Sequence, residues 1–300
     1  MGQYNFDQIL DRTHTKSLKY DFAVKRGKPA DVLPFWVADM DFEIPPELKQ
    51  ILLDRVNHGV FGYTESDDEY FDVLQNWFST RFNWIPEQKW LVKTPGIVFA
   101  LAMAVRAFTK EGEGVLINQP VYYPFSMVID DNNRHLINVP LIKGEERYTI
   151  DFEGIERAIV EENVTLFLLC NPHNPVGRVW TEDELKRLGD ICIKHNVLIV
   201  SDEIHADFVW KGHTHKVFAA LGESYAEHCI VCTAPSKTFN IAGLQVSNIF
   251  IPNDSLRRRF IKEIDRAGYS QLNTMGIVGC EGAYKVGAPW LDELKEYIQD

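Results

Sequence analysis

The stretch that decides the fold reads Val197-Leu198-Ile199-Val200-Ser201-Asp202-Glu203. Its first four residues are apolar on both faces of an extended chain, which is typical of a parallel strand that helices cover on both sides. The carboxylate of Asp202 would then lie at the mouth of that strand. This pattern predicts a doubly wound α/β core, in which ligands bind at the carboxyl ends of the strands.

Short apolar runs alternate with helical patterns from about residue 90 onward, as a doubly wound fold requires. Strands are predicted at 90–94, 114–118, 135–141, 164–170, 197–201, 230–233 and 246–251. Helices are predicted at 47–56, 97–110, 152–161, 255–266 and 290–299. A capping box, Thr181-Glu182-Asp183-Glu184, begins another helix that ends near His195.

The first 45 residues differ from the rest, with many aromatic side chains and a proline-rich turn, Ile44-Pro45-Pro46. We expect residues 1–45 to form an arm and part of a small domain, and residues 46–283 to form a large domain. Residues 284–300 would begin the C-terminal part of the small domain, whose remainder would be absent from this chain. A length of 300 residues fits one large domain with a smaller one.

The net charge of −12 at pH 7 disfavours nucleic acid and anionic membranes as partners, because both bind basic surfaces. No apolar run approaches the roughly 20 residues of a membrane span, and the N-terminus lacks the pattern of a signal peptide. Five cysteines without a disulfide spacing favour a cytoplasmic protein.

Two pairs of residues could suggest a metal or redox site. Cys229 and Cys232 lie in a predicted buried strand, and we interpret them as core thiols. His213 and His215 are interpreted as surface residues, because nothing nearby in the sequence completes a set of ligands. The sequence therefore predicts no metal site.

Three polar segments follow predicted strands. The loop 171–178 holds two Asn-Pro pairs and a glycine, so it is either a rigid ligand-binding loop or an ordinary turn. Asp202 either pairs with a protonated ring nitrogen of a ligand or forms a salt bridge or helix N-cap, and His205 supports it or merely packs. Lys237 lies among small and aromatic residues, so it is either a desolvated amine nucleophile or an ordinary surface lysine.

The order and spacing of three residues resemble those of fold-type I pyridoxal 5'-phosphate (PLP) enzymes, the aminotransferase superfamily. Asp202 follows Asn174 by 28 positions, and Lys237 follows Asp202 by 35. Several motifs are more narrowly similar to the MalY/PatB group of cystathionine β-lyases. These are Trp36-Val37-Ala38-Asp39-Met40-Asp41-Phe42, Phe61-Gly62-Tyr63-Thr64, Asn171-Pro172-His173-Asn174-Pro175-Val176-Gly177-Arg178 and Ser236-Lys237-Thr238-Phe239-Asn240-Ile241-Ala242-Gly243-Leu244-Gln245. The resemblance implies the aspartate aminotransferase-like fold, with a mixed, mostly parallel sheet in the large domain.

The resemblance also implies how the cofactor PLP would be held. Lys237 would carry it covalently and move protons at the substrate Cα and at the leaving group. Asp202 would pair with its protonated pyridine nitrogen, Asn174 would hydrogen-bond its phenolic oxygen, and Tyr122, rather than Tyr123, would stack on its ring.

The phosphate of PLP would lie on the backbone N–H groups of Gly96, Ile97 and Val98, with the Ser236 hydroxyl beside it. His205 would belong to the same cofactor site. Tyr63 would reach across a subunit interface, so the resemblance implies a homodimer with shared active sites.

The implied reaction is β-elimination of cystathionine or a related cysteine S-conjugate, a small amino-acid substrate, giving a thiol, pyruvate and ammonia. Two alternatives stay open: a PLP-dependent aminotransferase and an inactive or regulatory scaffold. Gln245 stands where many aminotransferases have an arginine that binds the phosphate, which favours the lyase group. No residue matches the arginine that binds the substrate carboxylate in this family, which keeps the scaffold alternative open.

Overall fold

A mixed sheet forms the centre of the computed structural model, which describes residues 2–299. Its strands are β1 (Leu91–Thr94), β2 (Gly114–Ile117), β3 (His135–Asn138), β6 (Val164–Cys170), β7 (Leu198–Asp202), β8 (Cys229–Thr233) and β9 (Ser247–Phe250), while β4 (Ile142–Lys143) and β5 (Tyr148–Thr149) form a separate hairpin. The spatial order is β1-β9-β8-β7-β6-β2-β3, and β9 runs antiparallel to the other six strands. The predicted α/β class with a mixed, mostly parallel sheet is confirmed.

Helices cover both faces of this sheet. They are α1 (Pro46–His58), α2 (Asp68–Phe82), α3 (Ile97–Phe108), α4 (Pro124–Asp130), α5 (Phe152–Glu161), α6 (Glu182–Lys194), α7 (Glu223–Ala226), α8 (Pro235–Thr238), α9 (Asp254–Arg266), α10 (Thr274–Val286) and α11 (Ala288–Gln299). Helices α3, α4 and α9 share one apolar core with the sheet, and α1, α2, α5, α6, α10 and α11 share the other. In β6, Leu166 and Leu168 enter the first core, whereas Phe167 and Leu169 enter the second. The strand is therefore buried on both faces, as its composition predicts.

Most predicted elements are present, with shifts at their ends. β6 and α5 match their predicted ranges, and the capping box forms: Glu184 N–H donates to Thr181 Oγ1 at 3.2 Å and Thr181 N–H to Glu184 Oε2 at 2.8 Å. The strand predicted at 135–141 ends at Asn138. The structure also contains elements that the sequence does not predict: the hairpin β4–β5 and the helices α2, α4, α7, α8 and α10.

The structure tests the interpretation of the cysteine pair, Cys229 and Cys232, and of the histidine pair, His213 and His215. All five cysteines are free and buried, so the interpretation of Cys229 and Cys232 as core thiols is confirmed. His213 is exposed, but the surface interpretation of His215 is wrong. Its side chain is buried, and its Nε2 lies 2.8 Å from Glu203 Oε2. A buried carboxylate requires such a partner, and the partner lies 12 residues away, beyond the reach of local patterns.

The N-terminal arm is mostly irregular and packs against α11. The ring of Phe6 lies 5.5 Å from Phe42, 5.7 Å from Trp290 and 5.5 Å from Tyr297, measured between centroids. The backbone N–H groups of the two residues Gln3 and Tyr4 donate to the Glu293 carboxylate at 2.9 and 3.1 Å. Residues about 290 positions apart are thereby joined.

Residues 2–299 include neither a membrane-spanning helix nor a cluster of potential metal ligands. No helix there is long and apolar enough to cross a membrane. The same residues contain no group of three or more His, Cys, Asp or Glu side chains that could hold a metal ion.

Candidate active site

The sheet has a reversal of strand order between β2 and β6, with β3 on one side of β2 and the later strands beyond β6. In open α/β sheets, the crevice at such a reversal is where ligands bind. The loops after these two strands meet there, because Tyr122 N–H donates to the Asn174 carbonyl at 3.0 Å. Asp202, at the end of β7, is in register with Cys170 of β6. Tyr122, Asn174 and Asp202 therefore share one edge of the sheet.

Asp202 is a buried carboxylate, with only 5% of the residue exposed. Its Oδ1 accepts a hydrogen bond from Ile204 N–H at 3.1 Å. Burial raises the pKa of Asp202 to about 7, and Glu203 adds to the rise, whereas the Ile204 N–H and the charge of Lys237 lower it. Among the described residues, no cationic group lies within 4 Å of this carboxylate. A cationic ligand atom would relieve its desolvation.

Lys237 lies in α8, the short helix that follows β8. It is half-buried, and burial lowers the pKa of its amine, while Asp39 and Asp202 oppose that shift. Within residues 2–299 it forms no ion pair, so the amine is available for a ligand. Burial also lowers the pKa of His205 to about 4, and the charge of Lys237 lowers it further. His205 is thus a neutral neighbour of the amine at pH 7.

Tyr122 and Asn174 border this group. The Tyr122 side chain is partly exposed, its centroid lies 5.3 Å from that of Tyr123, and burial, Tyr123 and Asp202 raise the pKa of its hydroxyl. The side-chain amide of Asn174 and the hydroxyl of Ser236 form no hydrogen bond with any described residue. Both are free to bind a ligand.

The start of α3 offers an anion site on backbone groups. The helix has 12 residues, and its N-cap Gly96 has φ +143°, a conformation that favours glycine. No side chain from the described part of the chain caps this end. The N–H groups of Ile97 and Val98 are therefore left for a ligand. A Cβ on Gly96 would lie 4.0 Å from Gln245 Oε1, which places the Gln245 side chain beside the same turn.

Tyr63 stands apart from these contacts. Its residue is 99% exposed, and it lines an open groove of about 780 Å³ together with Pro95 and Asn273. Pro95 directly precedes Gly96, so the groove adjoins the start of α3. A reach of Tyr63 into a partner subunit stays a prediction.

Sequence reasoning missed three residues near Lys237. Asp207 is buried and accepts hydrogen bonds from Thr238 Oγ1 at 2.7 Å and from Trp77 Nε1 at 3.2 Å. The charge of Asp39 raises the pKa of the Lys237 amine, and the Asn240 side chain donates a hydrogen bond to the Met40 carbonyl of the arm. Asp39 and Asn240 both lie inside motifs quoted above, which was the available signal, but nothing local assigned them a role.

The chain is similar to several known proteins. Residues 30–284 match the family described as aminotransferase class I and II. The chain is 44% identical over 295 residues to cystathionine beta-lyase PatB of Bacillus subtilis (strain 168), covering 98% of this chain and 76% of PatB. It is 33% identical to Protein MalY of Escherichia coli (strain K12), covering 99% and 76%. Its structure is similar to the PLP-bound C-S lyase of Staphylococcus hominis, with a TM-score of 0.92 and 35% identity, covering 98% of this chain and 74% of that one.

Proposed function

This chain belongs to the class I and II aminotransferase family, and on that premise we propose that it is a PLP-dependent carbon–sulfur lyase. Its substrate would be cystathionine or a related cysteine S-conjugate. β-Elimination breaks the Cβ–S bond and, with one water consumed, gives a thiol, pyruvate and ammonia. The observation that carries the proposal is the meeting of an unpaired, half-buried Lys237 with the buried Asp202 at one edge of the sheet.

The free polar groups at this edge fit PLP. Asp202 is a buried carboxylate without a cation, which matches a protonated pyridine nitrogen. The uncapped start of α3 matches a phosphate, and the Ser236 hydroxyl is available beside it. The Asn174 amide matches a phenolic oxygen, and Tyr122 offers a partly exposed ring for stacking.

The residues of this chain then have distinct tasks. When bound, PLP withdraws electrons from the substrate α-carbon and so makes elimination at Cβ easier. Lys237 takes the proton from the α-carbon and returns a proton to the departing sulfur. Asp202 keeps a negative charge opposite the ring nitrogen, and neutral His205 adds no competing positive charge near it.

The lyase has more support than the two alternatives. An aminotransferase would use the same cofactor contacts, but position 245 is a glutamine rather than the phosphate-binding arginine found in many of those enzymes. A non-catalytic scaffold would not need an amine whose pKa burial lowers, placed beside a buried carboxylate.

The test is pyruvate release from cystathionine by the purified protein with PLP and without any 2-oxo acid. We expect pyruvate and a thiol in equal amounts, and neither from Lys237→Ala. Product that forms only when a 2-oxo acid is added would favour the aminotransferase. No product from a folded protein that binds PLP would favour the scaffold.

We further propose a homodimer with shared active sites. The support is the exposed loop that carries Tyr63 and Phe61, which are 99% and 56% exposed and adjoin the start of α3. Sedimentation velocity tests it, because a monomer that still releases pyruvate would contradict a shared site.

Two lesser proposals concern location and domains. Five free, buried cysteines support a cytoplasmic protein. The aromatic contacts between the arm and α11 support the assignment of both to one small domain beside the large domain of residues 46–283, although Trp290 also packs into the core of that large domain.

A further inference from the structure

The segment that carries Tyr122 is held by the loop that carries Asn174. Pro120 and Tyr122 are both exposed to solvent, so burial contributes little to their position. Within residues 2–299, the segment 120–122 forms two hydrogen bonds to distant parts of the chain. One joins the Pro120 carbonyl to His173 Nε2 at 2.9 Å, and the other joins Tyr122 N–H to the Asn174 carbonyl at 3.0 Å. We call these two bonds the clasp.

His173 is itself firmly held. The residue is only 3% exposed, and its backbone N–H donates to the Arg178 carbonyl at 2.8 Å. Its ring lies edge-on to Trp180, with 5.5 Å between the centroids. The Arg178 guanidinium in turn donates to both carboxylate oxygens of Glu184, in the first turn of α6, at 2.7 and 2.8 Å. The imidazole of His173 is therefore a fixed support, tied to the large domain on the side opposite to residues 120–122.

The His173 ring acts as a single hydrogen-bond donor. The Pro120 carbonyl can only accept, so Nε2 carries the proton. Nδ1 is buried and has no hydrogen-bond partner within residues 2–299. Burial lowers the pKa of His173 and Arg178 lowers it further, while the carbonyls of Pro120, Cys170 and Asn118 oppose that shift. The ring is therefore neutral at pH 7, and its bond to Pro120 is the one polar contact that the side chain forms with the described residues.

We propose that His173 is a positioning residue that acts through the Pro120 carbonyl. Its Nε2–H keeps the Tyr122 ring at a fixed place relative to the Asn174 amide. The inference rests on the proposed PLP site, in which Tyr122 stacks on the cofactor ring and Asn174 binds its phenolic oxygen. Because residues 173 and 174 are adjacent, one short segment then sets the position of the cofactor both at the face and at the edge of its ring.

Amide hydrogen exchange tests the clasp without PLP. Full-length protein freed of PLP is transferred to deuterium oxide, and fragmentation of its peptides in the mass spectrometer resolves the Tyr122 N–H. The exchange rate at Tyr122 is divided by the rate at Leu168, in the middle of β6, which reports opening of the whole sheet. We expect His173→Leu to raise this ratio on the order of fivefold, because loss of a hydrogen bond makes local opening more frequent. His173→Gln, which keeps an N–H donor on a side chain of similar length, should return the ratio towards that of the wild type.

His215→Leu is the matched control, because it also replaces a buried histidine. Its Nε2 lies 2.8 Å from Glu203 Oε2, and it takes no part in the clasp. This variant should lose stability without a rise in the ratio. Equal rises in His173→Leu and His215→Leu would show that stability alone governs exchange at Tyr122 and would overturn the inference. An unchanged ratio in His173→Leu would also overturn it.

Retention of PLP tests the positioning role itself. The proteins are loaded with PLP and dialysed, and the loss of the visible absorbance of bound PLP is followed over time. His173→Leu should lose PLP several times faster than the wild type, and His173→Gln should behave like the wild type. A raised exchange ratio in His173→Leu with unchanged retention would mean that the clasp does not position the cofactor. Failure of the proposed function is distinguishable, because the wild type would then bind no PLP or release no pyruvate, whatever the exchange ratios.

Discussion

Asp202 and Glu203 are neighbours in the sequence, and both are buried, yet their surroundings are opposite. Glu203 accepts hydrogen bonds from Ser201 Oγ at 2.8 Å and Phe218 N–H at 2.9 Å, and it pairs with His215 Nε2 at 2.8 Å. Asp202 accepts one backbone N–H and has no cation within 4 Å among residues 2–299. The protein itself satisfies one carboxylate and leaves the other for a ligand.

The difference shows how a binding site can be told from a structural ion pair in the same region. Burial alone does not distinguish them, because both side chains are inaccessible to water. The distinguishing quantity is the number of protein partners, since a buried charge without partners is unfavourable and persists where a ligand supplies the missing one. Substitutions at these two carboxylates, and at two threonines with buried hydroxyl groups, would break or sharpen this comparison.

The largest effect is expected from Glu203→Ala, which leaves His215, Ser201 and the Phe218 N–H without their shared acceptor. Removal of one partner from a buried pair costs about 3–5 kcal/mol of unfolding free energy. Urea unfolding of the variant and the wild type measures it. The control is Glu156→Ala, which breaks a His195–Glu156 pair of 2.9 Å at the surface and should have a far smaller effect. Equal losses in the two variants would break the comparison.

A smaller effect, with a sign that depends on pH and cofactor, is expected from Asp202→Asn. The folded-state pKa of Asp202 is raised to about 7 by burial, so its stabilising contribution is present below the unfolded pKa and is lost as pH rises through about 7. Without PLP, the variant should therefore be more stable than the wild type at pH 8, on the order of 1–4 kcal/mol, with little difference near pH 4.

With PLP the same substitution should weaken cofactor retention, because the ring nitrogen loses its counter-charge. Urea unfolding at both pH values, and dialysis of the loaded protein, measure the two effects. A variant that is less stable at pH 8 without PLP would show that Asp202 is a satisfied structural carboxylate like Glu203.

The smallest effect is expected from a matched pair of threonine variants. Thr238→Val removes the 2.7 Å hydrogen bond to Asp207 and should cost about 1–3 kcal/mol. Thr165→Val removes a buried hydroxyl that has no hydrogen-bond partner among the described residues, and it should be neutral or slightly stabilising. The urea midpoints of the two variants test whether the number of hydrogen-bond partners also decides the stability contribution of a buried hydroxyl. A larger loss of stability in Thr165→Val than in Thr238→Val would contradict this.

The sheet could be predicted from the sequence because its signals are local. Residues 164–170 are apolar on both faces, and the strand forms over that range. Helix α10 lacks such a signal, since Gly276, Gly279 and Gly282 weaken a helix. They are tolerated because a Cβ on Gly279 would lie 2.4 Å from Leu244 Cδ1 and one on Gly282 would lie 3.1 Å from Leu48 Cδ1. Helix α10 is therefore stabilised by close packing against segments distant in the sequence, which no local pattern shows.

In the candidate site, too, some features follow from local sequence and others depend on contacts between distant residues. Asn174, Asp202 and Lys237 follow strands whose carboxyl ends meet at one edge, so their convergence could be predicted. The approach of Asp39 depends on contacts between Met40 and Asn240, which are 200 positions apart. The buried state of His215 depends on Glu203 in the same way. No local pattern encodes either contact.

The contacts between Phe6 and the two aromatic residues Trp290 and Tyr297 can form only late in translation, because they join the two ends of the chain. A ribosome adds about 5–20 residues per second, so the arm emerges roughly 15–60 s before the aromatic partners in α11 have been made. During that interval Phe6 has Phe42 but neither of its two aromatic neighbours in α11, and the large domain can begin to fold without those contacts. The first residues of the arm are then among the last segments to dock. A nascent chain would acquire Lys237 and its strand before these contacts of the arm with α11 can form.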